Sequence, residues 1–311
     1  MDERPHGIWA ASVTPVDERG DVDVLRLVTH LRRLLARGCH GAVLFGTTGE
    51  APSFTVDQRR RALDAVREAG IPAERLMVGV GCPARDDTLA LARHARAHGV
   101  RWLLVMPPHF FKGVADEGLY RAVAEVLDGL DAEARLLLYH FPQLSGVPIP
   151  FPVIERLLAR DPARVVGIKD SSGDLRHTLA LIRTFPGLAV FSGNDAHLLD
   201  VLRAGGAGAI TAGHNLAADR AREVWDAFRA GDATRAERAM AGLAAVRRVL
   251  EGHPMIPALK AVLADGLGDP VWAAVRPPLV ALDGTRARGL LEELAAVGYV
   301  FEPGDFTAVA D

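Results

Sequence analysis

The sequence has few cysteines, no long hydrophobic run and no excess of charge of one sign. Two cysteines among 311 residues, Cys39 and Cys82, are too few for a disulfide framework or a cysteine-rich metal site, which favours a reducing, cytoplasmic location. No uncharged stretch approaches the ~20 apolar residues that span a bilayer, and the N-terminus lacks the pattern of a secretory signal. The 36 basic and 39 acidic residues are scattered, so we expect neither nucleic-acid nor membrane partners.

Lysine is also scarce: the 36 basic residues include only Lys112, Lys169 and Lys260 as lysines. Lys169 directly follows the apolar run 165–168, where burial would disfavour a charged ammonium. A neutral lysine amine adds to a carbonyl to form a Schiff base, whereas arginine stays protonated and cannot replace it. A buried cation paired with a carboxylate is the alternative, although Asp170 would point to the opposite face of a strand. From the residues alone, both interpretations stay open.

Short apolar runs alternate with longer segments of helical periodicity, which predicts βαβ units and a parallel sheet covered on both faces. Eight such units in the first 230 residues predict a closed (β/α)₈ barrel, a fold of ~250 residues. A doubly wound open sheet is the alternative, but no G-x-G-x-x-G turn is present. The predicted strands are 8–13, 42–45, 76–80, 102–106, 136–139, 165–168, 188–191 and 207–211.

The remainder of the chain has a helical pattern without further strands. Residues 217–250 are predicted to form one continuous helix, followed by a break at HPMIP and by helices over 258–263 and 289–296. We therefore predict that residues 1–230 form the barrel and that residues 231–311 form a helical C-terminal extension packed on it.

Reactive groups of a parallel barrel lie at the C-terminal ends of its strands. Thr47 and Thr48 could hold a carboxylate or form an ordinary turn, and Tyr139 could be a general acid or base or a core tyrosine. Asn194, Asp195 and His214 could contact substrate or cap a helix. His94 and His98 have the i, i+4 spacing of a metal pair, but the sequence offers no third ligand beside them, so we interpret them as a solvated face and predict no metal.

Three stretches together, GTTGE (46–50), YHFPQLSG (139–146) and GIKDSSGD (167–174), resemble the dihydrodipicolinate synthase and N-acetylneuraminate lyase family of class I aldolases. The resemblance implies a (β/α)₈ barrel, a Schiff base between Lys169 and pyruvate or another 2-oxo acid, and no metal or dissociable cofactor. It implies that Tyr139 transfers a proton and that Thr47 and Thr48 hold the 2-oxo carboxylate, with Thr48 counted also among the catalytic residues. Gly193 and Ile210 would line the far wall, and the enzyme would be a homodimer or homotetramer.

Departures from the family pattern concern the part of the substrate beyond the 2-oxo acid. Leu144 takes the place of an arginine that binds the carboxylate of the aldehyde substrate in the synthases. Phe110 takes the place of a tyrosine that a neighbouring subunit contributes in those enzymes. Ala196 and Ala212 replace polar groups that hold the sugar of sialic acid, whose loss is costly in a site built on hydrogen bonds.

These departures favour a lyase or aldolase, or a related dehydratase, that acts on a shorter 2-oxo acid such as a 2-keto-3-deoxy sugar acid and releases or uses pyruvate. One alternative is 4-hydroxy-tetrahydrodipicolinate synthase activity. Another is a non-catalytic regulatory barrel that binds a 2-oxo acid.

Overall fold

Eight parallel strands close into a barrel in the computed structural model, which describes residues 4–302. The strands follow one another in chain order around the barrel, and β1 closes the ring by pairing with β8. Each predicted run overlaps one observed strand, so the predicted (β/α)₈ barrel is confirmed. The strands are Gly7–Ala11 (β1), Gly41–Leu44 (β2), Leu76–Gly79 (β3), Trp102–Val105 (β4), Arg135–His140 (β5), Val165–Asp170 (β6), Ala189–Ser192 (β7) and Gly208–Thr211 (β8).

Amphipathic helices surround the barrel, and polar side chains fix several of their starts. Asp23 accepts from the backbone N–H of Arg26, and Thr55 forms a capping box with Gln58. The helices are Val24–Ala36 (α1), Val56–Glu68 (α2), Arg85–Ala97 (α3), Asp116–Asp128 (α4), Pro142–Ser145 (α5), Phe151–Arg160 (α6), Leu175–Thr184 (α7), Leu198–Arg203 (α8), His214–Arg229 (α9), Ala233–Glu251 (α10), Met255–Leu267 (α11) and Gly284–Ala296 (α12).

The apolar side chains form two separate layers, because successive strand residues point to opposite faces of the sheet. One layer lies between the sheet and the helices. The other fills the barrel, as expected of this fold, and consists of Trp9, Ala11, Val43, Met77, Trp102, Leu104, Leu137, Tyr139, Val166, Ala189, Phe191 and Ile210.

A β-bulge in β6 sets which face carries Lys169. Leu136 pairs with Val165 but Leu137 pairs with Gly167, so Val166 is an extra residue on β6. Val166 belongs to the interior layer; in a regular strand the alternation would then direct residue 168 inward and residue 169 outward. The bulge shifts the alternation by one residue and turns Lys169 toward the interior.

The predicted continuous helix over 217–250 is wrong, because the chain breaks between α9 and α10. Gly231 adopts a left-handed backbone with φ 74°, and Asp232 caps α10 by accepting from the N–H of Arg235. The other helical segments, 258–263 and 289–296, lie within α11 and α12, where helices are observed. The boundary at residue 230 stays a prediction, and residues 303–311 of the predicted extension lie outside the described part of the chain. Among residues 4–302, no helix combines the length and apolarity needed to cross a membrane.

Candidate active site

Lys169 and Tyr139 lie side by side on neighbouring strands near the C-terminal mouth of the barrel. The register pairs Tyr139 of β5 with Lys169 of β6, and Lys169 with Phe191 of β7. Lys169 Nζ lies 4.4 Å from the centroid of the Tyr139 ring. The two residues are only 4% and 3% exposed. The amine is therefore held against an aromatic face and not in bulk solvent.

The neighbouring Asp170 points away from the amine, as the alternation of strand residues predicts. Its Oδ2 accepts a hydrogen bond from the hydroxyl of Thr178 at 2.7 Å and lies 3.0 Å from Nδ1 of His177. The Asp170 carboxylate raises the pKa of the His177 imidazole. Asp170 therefore forms hydrogen bonds with residues of α7 on the outside of the barrel and is not the ion-pair partner of Lys169.

The turn after β2, residues 46–50, brings two hydroxyl groups to the same mouth. Thr47 Oγ1 and Tyr139 Oη share a hydrogen bond of 3.1 Å, and Thr48 is buried. Phe45 (φ 53°) and Glu50 (φ 54°) bound the turn with left-handed backbone. Such a conformation costs about 1–3 kcal/mol in a residue other than glycine, so the surrounding structure must hold it.

A buried ion pair holds the Glu50 end of this turn. Lys260 of α11 donates to Oε1 of Glu50 and, at 2.8 Å, to the carbonyl of Ala274, while the N–H of Arg276 donates to Oε2 of Glu50 at 2.9 Å. Both side chains of the pair are fully buried. Burial lowers the pKa of the Lys260 ammonium, and the Glu50 carboxylate offsets only part of that shift. Sequence reasoning missed this pair, although a rare lysine within the apolar stretch PALKAVLA was its signal.

A cavity of 490 Å³ opens beside Thr47 and Tyr139. This volume is within the range of small-molecule sites. Lys169 does not line the cavity, but its Nζ lies against the ring of Tyr139, which does, so the amine and the cavity share Tyr139 as a common boundary. Apolar side chains form much of the wall, including Phe45, Phe54, Leu104, Met106 and Leu144.

Gly193 and Ile210, predicted to line the far wall, lie on or beside the last two strands. Ile210 is fully buried inside the barrel and pairs with Trp9 of β1. The N–H of Gly193 donates to the carbonyl of Asp170 at 2.7 Å. A Cβ at position 193 would collide with Ser171, which explains the need for glycine there.

Asp195, another predicted contact, is already satisfied by other protein groups. It is 1% exposed; Thr211 donates to its Oδ1 at 2.5 Å and Arg247 lies 3.2 Å from its Oδ2. Asn194 accepts from the N–H of Ala196 and so caps the short 3₁₀ turn that follows. His214 Nδ1 lies 3.0 Å from the carbonyl oxygen of Trp9. Because Thr211 and Arg247 contact it, the Asp195 carboxylate has a protein partner at each of its two oxygens.

Leu144 and Phe110, the two apolar substitutions, are open to solvent; Leu144 lies in the short helix α5 and Phe110 lies on the loop between β4 and α4. Leu144 is 59% exposed and lines the cavity, whereas Phe110 and Phe111 are 74% and 72% exposed. The two phenyl rings meet edge to face at 5.3 Å. Together they form an exposed aromatic patch on the loop between β4 and α4.

The expectation that His94 and His98 lack a third ligand is wrong. Asp64 of the preceding helix α2 lies against both: its Oδ1 is 2.6 Å from Nε2 of His94 and 2.7 Å from Nε2 of His98. Asp64 was missed because it is 30 positions from His94 along the chain, and only the packing of α2 against α3 brings them together.

Comparisons with known proteins agree with the observed fold and also identify the family of the chain. The model of the dihydrodipicolinate synthetase family matches residues 4–296. A DapA-like lyase of Chloroflexus aurantiacus is 40% identical over 299 residues, covering 96% of each chain. Dihydrodipicolinate synthase of Agrobacterium tumefaciens superposes with a TM-score of 0.84 at 32% identity, covering 94% of this chain and 99% of that one. YagE, a prophage protein of E. coli K12 solved in complex with pyruvate, gives a TM-score of 0.86 at 26% identity over 95% and 99% of the chains.

A (β/α)₈ barrel with a buried lysine and tyrosine side by side near its C-terminal mouth has the architecture of a barrel enzyme. The full-length matches specify the group within that class. The chain belongs to the dihydrodipicolinate synthetase family, as its motifs indicated, and it is a lyase of the aldolase type.

Proposed function

We propose that the protein is a Schiff-base-forming lyase that cleaves or forms a C–C bond in a 2-oxo acid, with Lys169 as the nucleophile. The observation that carries the proposal is the contact between Lys169 Nζ and the Tyr139 ring, 4.4 Å from its centroid, together with the 3.1 Å hydrogen bond between Tyr139 and Thr47. This places an amine, a phenol and an alcohol in one connected group. A site that only bound its ligand would not need a buried amine nucleophile.

In the direction of cleavage, the amine of Lys169 adds to the C2 carbonyl, and the resulting hydroxyl takes up one proton from solvent and leaves as water, giving an iminium. The C3–C4 bond then breaks, and its electron pair moves to the iminium nitrogen to form an enamine. The C4 hydroxyl becomes an aldehyde, and its proton passes through the Tyr139 oxygen and the Thr47 hydroxyl to water. Protonation of the enamine at C3 regenerates an iminium, and addition of water to it releases pyruvate, the amine and the proton taken up in the first step.

The hydroxyls of the 46–50 turn are proposed to orient the 2-oxo carboxylate. Thr47 faces the cavity and Thr48 is buried beside it, and a hydroxyl can donate to a carboxylate oxygen. Gly193 and Ile210 would form the opposite wall. Because both oxygens of Asp195 have partners at 2.5 and 3.2 Å, we propose a supporting role for this residue rather than a substrate contact.

The apolar Leu144 favours a 2-oxo acid without a second carboxylate at its far end. Leu144 lines the cavity where an arginine would grip such a group, and Ala196 and Ala212 offer no side-chain hydrogen bonds. We therefore propose a 2-keto-3-deoxy sugar acid or a hydroxy-2-oxo acid as substrate, and pyruvate as the shared product. The pyruvate bound to YagE supports a pyruvate-like ligand in a related barrel.

Synthesis of 4-hydroxy-tetrahydrodipicolinate is the second candidate function. The similar structure from Agrobacterium tumefaciens is named a dihydrodipicolinate synthase, which supports this candidate, whereas the apolar Leu144 opposes it. A rapid condensation of pyruvate with aspartate semialdehyde by the native protein would establish the synthase activity.

No metal or dissociable cofactor is part of the proposed reaction. We further propose a cytoplasmic homodimer or homotetramer. The free thiols of Cys39 and Cys82 suit a reducing compartment. Contact with a second subunit would remove the exposed aromatic patch of Phe110 and Phe111 from water, which is favourable.

A panel of 2-keto-3-deoxy acids, assayed for pyruvate release, tests the proposed activity. We expect turnover of at least one member by the native protein and none by Lys169→Arg, because the guanidinium remains charged. An Arg203→Lys variant, altered at an exposed ion pair with Glu237, is the matched control and should retain activity. If the Lys169→Arg variant turned over the same substrate at the native rate, the proposed nucleophile would be wrong.

A further inference from the structure

Three potential metal ligands meet on the outside of the barrel, and none of them belongs to the three sequence motifs of the active site. His94 and His98 are one helical turn apart at the end of α3, and Asp64 faces them from α2. The candidate ligand atoms lie within 4.8 Å of one another. The side chains of His94, His98 and Asp64 are 15%, 29% and 37% exposed, so an ion can reach them from solvent.

The chemistry of this group suits a borderline transition-metal ion such as Zn²⁺. Two imidazole nitrogens and a carboxylate are common zinc ligands, and two histidines at i and i+4 share one face of a helix. The C-terminal end of a helix carries a partial negative charge that favours a cation. Arg67, the nearby cation on α2, already donates to the carbonyls of His98 and Ile71.

We propose that Asp64, His94 and His98 form a zinc site that links α2 to α3 and leaves at least one coordination position to water. The three ligands would come from side chains alone, and no residue of the active site takes part.

The two nitrogen–oxygen distances require only a small adjustment. Nε2 of each histidine is now at hydrogen-bond distance, 2.6 and 2.7 Å, from the same Asp64 oxygen. Tetrahedral zinc with bonds of ~2.0–2.2 Å places its ligand atoms ~3.3 Å apart, so each nitrogen must withdraw from the oxygen by about 0.6 Å. Partly exposed side chains at a helix end can make this shift by rotation, and each imidazole would bind the metal through an unprotonated Nε2 while Nδ1 carries the ring proton.

Titration of the purified, metal-free native protein with ZnCl₂, followed by calorimetry and by thermal unfolding, tests the site. We expect saturable binding of one Zn²⁺ and a higher unfolding temperature when zinc is present. His98→Gln should weaken binding at least about tenfold and remove the thermal shift, as should Asp64→Asn. CoCl₂ should give the visible absorption of a low-coordinate Co²⁺ site in the native protein and lose it in His98→Gln.

Two variants control for other histidines. His253→Gln removes a histidine paired with a single carboxylate, Glu293, at 3.1 Å, and should leave zinc binding unchanged. His177→Gln alters the other cluster of potential ligands, His140, Asp170 and His177, and should also bind as the native protein does. Absence of saturable Zn²⁺ binding, equal affinity in His98→Gln, or loss of binding in His177→Gln but not in His98→Gln would each overturn the proposal.

Discussion

The buried pair of Glu50 and Lys260 yields the most quantitative prediction, and Glu50→Gln is the perturbation. The substitution keeps the shape of the side chain and its compatibility with φ 54°, but it leaves the Lys260 ammonium without a counter-charge. Both partners are fully buried, and loss of one partner of a buried pair costs about 3–5 kcal/mol. With an unfolding entropy of about 2.1 cal/mol/K for each of the 311 residues, that loss corresponds to a decrease of roughly 5–8 °C in the unfolding temperature.

Thermal unfolding followed by circular dichroism measures this decrease, and a double-mutant cycle separates the pair from its surroundings. Glu50→Gln with Lys260→Met should be less destabilised than the sum of the two single variants, because neither uncompensated charge remains. Glu237→Gln, which breaks the exposed pair with Arg203, is the control and should change stability little. A decrease below about 2 °C for Glu50→Gln, or strict additivity in the cycle, would refute the reasoning.

Three further predictions concern the reaction and the strand that carries Lys169. Tyr139→Phe should lower kcat by about 10²–10⁴-fold while Lys169 still forms its adduct with pyruvate, because the proton transfer and not the amine is lost; an unchanged kcat would argue against the assigned role. Gly167→Ala should destabilise the protein and lower activity, since a Cβ there would lie 2.7 Å from the carbonyl oxygen of Ala189 and disturb the bulge; unchanged denaturant unfolding together with unchanged turnover in Gly167→Ala would contradict this prediction. The pKa of His177 is raised by Asp170, so its contribution to stability is fully present below ~6.5 and is lost as the pH rises through the folded-state pKa. The stability difference between the native protein and His177→Gln should therefore be larger at low than at high pH, and a pH-independent difference would contradict it.

Local sequence patterns were sufficient to predict the barrel and the position of its mouth. The strands are continuous apolar runs because both faces of a parallel sheet are covered, and such runs are visible without any knowledge of the fold. The break between α9 and α10 also had a local signal, Gly231 followed by Asp232, but the alanine-rich flanks suggested one long helix. Where a glycine and a capping residue occur together, the end of a helix is the better prediction.

Features that depend on packing could not be predicted in the same way. The bulge at Val166, which directs Lys169 inward, has no signal in a run that is apolar on both faces. Glu50 meets Lys260 across a separation of 210 residues, and Asp64 meets the α3 histidines only because α2 and α3 lie next to each other. The rarity of lysine in the sequence drew attention to Lys169, but not to Lys260 or to its partner.

The central claim is that Lys169 forms an imine with a 2-oxo acid, and borohydride reduction in the presence of pyruvate tests it most directly. Because the chain has only three lysines, a peptide map distinguishes Lys169 from Lys112 and Lys260 without ambiguity. We expect one stable adduct, with the mass of pyruvate less one water plus two hydrogens, on Lys169 of the native protein and none in Lys169→Arg. An unmodified Lys169 at saturating pyruvate, or an adduct on Lys112 or Lys260 instead, would contradict the account.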